Sequence, residues 1–134
     1  MKVLVLTSEP ITAQQLRNAL GTDIDPSDTE AMVVAPAYAQ SALRFWLSDA
    51  DEAIARAERV RTESVRELGE AGIPATGDTG EGEPDTAIED ALKTFDADPI
   101  VVFTHGGEDQ RYREDFDRAE IVERFGRPVD HAVL

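Results

Sequence analysis

Cysteine is absent from the 134 residues. That excludes disulfides, thiolate metal sites and a cysteine nucleophile together. Lysine is nearly absent: Lys2 and Lys93 stand alone, and every other basic side chain is an arginine. Positive charge is scarce overall, with 13 basic residues against 28 acidic ones and a net charge of −15. A surface this negative repels nucleic acid and anionic lipid, which removes both as partners. The acidity itself has two readings, adaptation to high salt or a plain soluble acidic protein. Long apolar runs are missing too; the longest are about strand length, far short of the ~20 residues of a membrane span. Met1 leads straight into an apolar strand, so we expect no signal peptide and a cytoplasmic location.

What is present fits one globular domain over residues 1–134, with 41% hydrophobic residues and enough chain for a real core. The most informative stretch is Ile100-Val101-Val102-Phe103-Thr104-His105-Gly106-Gly107. Its apolar half reads as a buried strand; a hydroxyl, an imidazole and two glycines end it, and a helical pattern follows. The chain opens the same way, Val3-Leu4-Val5-Leu6 running into Thr7-Ser8-Glu9-Pro10 and a helix. Continuous apolar strands, each followed by a polar turn and a helix, specify a parallel α/β sheet covered on both faces.

The remaining segments continue that alternation. A helix over 12–20 is capped by Thr12 and ended by Gly21, and a second strand runs from Ala31 to Ala35. Residues 37–47, with Phe45 and Trp46, read as a helical turn or a lid. Ser48 to Glu52 forms a capping box for a long helix that Gly69 or Gly72 terminates. Ile73–Thr76 is a short third strand, followed by a glycine-rich loop over 77–84 and a helix capped by Asp85. A fourth strand spans Pro99–Phe103, a helix runs over about 112–125 to Gly126, and Val129–Leu134 is the fifth strand.

Gly77-Asp78, then Pro84-Asp85-Thr86-Ala87-Ile88, then Ala97-Asp98-Pro99-Ile100-Val101-Val102 resembles a passage of the universal stress protein family, within the adenine-nucleotide α-hydrolase-like folds. The resemblance covers nearly the whole chain. It implies a three-layer α/β/α sandwich whose five-stranded parallel sheet has the order 3-2-1-4-5. Nucleotide-binding members of the family place an aspartate at the end of strand one, and here that residue is Thr7. They also carry Gly-x2-Gly-x9-Gly-Ser/Thr after strand four. Gly106 and Gly107 are present, but residues 110–119 contain no Gly-Ser or Gly-Thr, and Glu108 and Asp109 would repel phosphate. The resemblance therefore implies a diverged member that lacks the ATP-binding motif. No cofactor is therefore expected; ATP or AMP is the one the resemblance would otherwise imply.

In this topology the candidate ligand-binding residues are Thr7, Ser8, Thr104, His105, Gly106 and Gly107, at the ends of neighbouring strands one and four, with Asp78 beside them. The alternative is that Thr7 and Thr104 merely cap turns and His105 is solvated. No catalytic residue is assigned, because no Ser-His-Asp order or nucleophile elbow is visible. The string Gly77–Gly82 lacks the Lys-Ser/Thr ending of a P-loop and carries acids. It reads as a βα loop; Asp78, Glu81, Glu83 and His105 would suit a hard cation, though their spacing matches no calcium or zinc motif. His131 reads as a structural imidazole, and Phe45 and Trp46 as core or interface. The fifth strand, Val129–Leu134, is an edge without lysine, which invites homodimerisation, as the family also implies; the counter-reading is a monomer kept apart by its charge.

Overall fold

The computed structural model describes residues 1–20, 25–36, 50–80, 84–104 and 118–134. Five strands, β1 (Lys2–Thr7), β2 (Glu30–Pro36), β3 (Ala75–Gly80), β4 (Ile100–Thr104) and β5 (Val129–Val133), form one sheet. All the pairings are parallel, and the order is β3-β2-β1-β4-β5. The four helices described are α1 (Ala13–Leu20), α2 (Ala50–Glu70), α3 (Pro84–Leu92) and α4 (Arg118–Phe125). This is the three-layer α/β/α arrangement with the strand order expected from the sequence.

Strand alternation divides the core between the two faces. On one face Val3, Val5, Ala31, Val33, Val101 and Phe103 pack with Ile11 and Leu16 beside α1 and with Leu68 of α2. On the other, Leu4, Leu6, Val34, Ile100, Val102 and Val129 pack with Ala87 and Ile88 of α3 and Ile121 of α4. The central strands are apolar at every position because both faces are covered. Full burial of each such Val or Leu contributes about 1.5–3 kcal/mol.

The helix ends follow their local chemistry. Thr12 and Gln15 form a reciprocal capping box, with Gln15 N donating to Thr12 Oγ1 at 3.2 Å and Thr12 N to Gln15 Oε1 at 2.9 Å. Gly72, at φ 86°, turns the chain out of α2 while Ile73 N donates back to Leu68 O at 2.9 Å. Of the two glycines the sequence offers as a terminator, Gly72 holds the left-handed position. Gly126, at φ 64°, does the same for α4.

The largest departure from the sequence reading is at β3. A strand ending at Thr76 is expected, yet the ladder continues with β2 through Gly77↔Val33, Asp78↔Val34, Thr79↔Ala35 and Pro36↔Gly80. The two glycines serve close packing on opposite faces. A Cβ on Gly77 would lie 2.4 Å from Arg61 Cγ and 2.9 Å from Val65 Cγ2 of α2. One on Gly80 would lie 2.9 Å from Val34 Cγ1 and 3.0 Å from Ala87 Cβ of α3. Glycine here lets one helix on each side approach the edge strand. Ser48 and Asp49 of the expected capping box, the segment with Phe45 and Trp46, and the first part of the expected last helix lie outside the described residues.

Candidate functional site

The strand order reverses between β1, which leads to β2 on one side, and β4 on the other. Their carboxyl ends mark the switch point where open α/β sheets take ligands. Thr7 is the last residue of β1 and sits beside Phe103, while Thr104 ends β4. Thr7, Ser8 and Thr104 are all buried.

The two threonines are neighbours along the sheet edge, but their side chains lie on opposite faces. Thr7 has the parity of Val3 and Val5, facing the α1/α2 layer; Thr104 has that of Ile100 and Val102, facing the α3/α4 layer. The Thr7 hydroxyl is used locally. It donates to Glu9 O at 2.7 Å and accepts from Glu9 N at 3.3 Å, closing the turn after β1. Two residues further on, Ile11 N donates to Ser64 Oγ at 3.1 Å, and Ser64 is fully buried on α2. The loop after β1 is thus held by its own hydroxyl and by a serine 53 residues away in sequence.

Thr104 has a different partner. Its Oγ1 lies 2.6 Å from His131 Nε2 on β5. Register places His131 opposite Val102 and Val133 opposite Thr104, so hydroxyl and ring share the α3/α4 face. The backbone supports the contact: Leu134 N donates to Thr104 O at 2.8 Å.

Asp78 stands apart from both threonines. It is an exposed residue on edge strand β3, two strands from β1, and its Oδ1 accepts from Thr79 N at 2.8 Å. On the α2 side of the same strand, Arg61 lays its stem against Gly77, and its Nε is buried without a hydrogen-bond partner. His105, Gly106 and Gly107 lie outside the described residues, as do Glu81 and Glu83 of the suggested cation set. Among the described residues no three histidines or carboxylates gather to hold a metal, and no helix is long and apolar enough to cross a membrane.

Sequence reasoning puts Ser64 among the helically spaced residues of the long helix without its bond to Ile11, puts Arg61 on the outer face where the structure buries its Nε, and misses the role of His131. Ser64 falls on the apolar stripe of α2 with Ala57, Val60 and Leu68, and a lone serine on such a stripe is the available signal. His131 and Thr104 become partners only once the β4–β5 register is known.

No family model matches the chain, and no curated protein matches it in sequence. Among solved structures it is similar to a universal stress protein from Archaeoglobus fulgidus, with a TM-score of 0.58 and 17% identity, over 98% of this chain and 92% of that one. At that identity the likeness speaks for the fold, a universal-stress-protein-like α/β sandwich.

Proposed function

We propose that the chain is a stress-response or regulatory protein of the universal-stress type, acting in the cytoplasm as a homodimer and not hydrolysing ATP. The observation that carries this reading is the end-to-end structural likeness to a universal stress protein, 98% of this chain against 92% of the other. The state of Thr7 supports the missing nucleotide chemistry. Where nucleotide-binding members of the resembled family carry an acceptor carboxylate, this chain has a hydroxyl already engaged by its own turn. β5 supports the dimer: it is an edge strand without lysine, and Val133 on it is 65% exposed. Unpaired strand edges of this kind favour pairing with another copy.

A second reading, a small-ligand or nucleotide-binding module at the carboxyl ends of β1 and β4, is favoured by the Thr104–His131 pair at the switch point. Sedimentation of the parent and of Val133→Glu, alongside ATP binding and hydrolysis assays, separates the two. A dimer that the substitution dissociates, with no nucleotide bound or turned over, supports the first reading. A monomer that binds ATP or AMP stoichiometrically supports the second.

A further inference from the structure

We propose that the Asp78 carboxylate closes the β3 edge of the sheet to strand addition, so that assembly stops at one edge and yields a closed pair rather than a filament. The limit on assembly rests on the β5 homodimer reading; the closure of β3 rests on geometry alone.

β3 and β5 are the two edge strands of the sheet. An edge strand presents a row of main-chain donors and acceptors that templates another strand. Because every pairing is parallel, the β5 edge of one copy also matches the β3 edge of the next, and head-to-tail pairing of that kind does not close on itself. A sheet that pairs through β5 therefore needs its β3 edge blocked.

The common blocks are absent from β3. It has no lysine and no proline, and Gly77 at its middle has no side chain of its own. Ala31 N donates to Pro74 O at 2.9 Å, in the register Ala31↔Ala75. In a parallel ladder that pattern turns the main chain of Thr76, Asp78 and Gly80 toward β2 and that of Ala75, Gly77 and Thr79 outward. The outward Thr79 N–H is the group that Asp78 Oδ1 accepts from, at 2.8 Å. Asp78 has the parity of Gly80, whose missing Cβ would point at Ala87 of α3. Its side chain thus leaves the strand on the α3 face and folds back over the edge. A strand adding at β3 must bring a carbonyl oxygen to Thr79 N–H. The carboxylate already occupies that place, at the distance of a charge-assisted bond, and repels the oxygen. In a chain whose only lysines are Lys2 and Lys93, an aspartate guards the edge instead.

Sedimentation velocity over a range of concentrations tests the closure. The parent should show nothing larger than a dimer. Asp78→Ala removes the carboxylate without adding apolar surface, and should shift mass into species above the dimer as concentration rises. Adding Thr79→Pro deletes the outward N–H while leaving the β2 ladder intact, and should reverse that shift. Amide hydrogen exchange locates the contact: Gly77 and Thr79 should exchange more slowly in assembled Asp78→Ala than in the same variant at low concentration. An Asp78→Ala profile identical to the parent at every concentration overturns the proposal. So does growth that leaves the Gly77 and Thr79 amides unchanged, or a parent that itself grows past the dimer through them. A monomeric parent whose Asp78→Ala variant assembles through these two amides removes the β5 homodimer and upholds the closure.

Discussion

Replacing Gly77 by alanine puts one methyl group where the structure has no room for it. The new Cβ would stand 2.4 Å from Arg61 Cγ, 2.9 Å from Val65 Cγ2 and 3.2 Å from Arg61 Cδ, the first about 1 Å short of ordinary contact. Arg61 has rotatable bonds, but its crowded atom is close to the helix backbone, where movement is limited. Val65 is β-branched on a helix and has essentially one rotamer, so it cannot swing aside. Either α2 or edge strand β3 must retreat. Overpacking of this kind costs about 1–3 kcal/mol. Against that, Gly77 is not in the left-handed region, so alanine narrows the unfolded ensemble and returns about 0.4–1 kcal/mol. The expected net loss is about 1–2 kcal/mol, a fall of roughly 0.5–1.5 M in the urea midpoint with the slope unchanged. Adding Arg61→Ala should recover part of the loss in a double-mutant cycle, because the two residues touch. Gly77→Ala unfolding at or above the parent midpoint would refute the packing argument and return Gly77 to a loop role.

Three further perturbations follow from contacts of the same kind. Ser64→Ala leaves the buried Ile11 N–H without its acceptor and should cost about 1–3 kcal/mol by urea unfolding, with Ile11 amide exchange accelerated. Thr12→Ala removes the α1 cap and should cost about 1 kcal/mol, while Gln15→Ala, which removes the reciprocal half, should cost less. The Asp25 carboxyl lies below its ordinary value, first because the Ser27 hydroxyl donates to it and then because the Ser27 amide does. Its contribution to stability is therefore present above the ordinary carboxylate range and is lost as pH falls through the lowered value. Carboxyl carbon NMR should show Asp25 titrating higher in Ser27→Ala; an unchanged titration would contradict the assignment.

The alternation of apolar strands with capped helices made the architecture legible. β1 and β4 are apolar throughout, as strands between two helix layers must be, and Thr12, Gly72 and Gly126 mark helix ends by chemistry that works locally. β3 was not legible in the same way. Ala-Thr-Gly-Asp-Thr-Gly has neither apolar continuity nor β-branched bulk at its glycines, and turn propensity is the only local signal such a string carries. It is a strand because two helices press on it from opposite sides, which is tertiary information.

The candidate site shows the same limit. That Thr7 and Thr104 end adjacent strands follows from the strand order; that they face opposite layers follows from a one-residue difference in where each strand stops. The Thr7 turn is local and readable from Thr7 and Glu9, whereas the Thr104–His131 contact spans 27 residues and depends on the register of β5. Ser64 reaches Ile11 across 53 residues and is invisible without the packing of α2.

The central claim, a universal-stress-type homodimer without nucleotide chemistry, is tested most directly by native mass spectrometry of the gently purified protein, followed by denaturation and analysis of any released small molecule. The account predicts twice the 14.6 kDa chain mass and no adduct. A monomer, or a stoichiometric adduct in the nucleotide mass range, would contradict it.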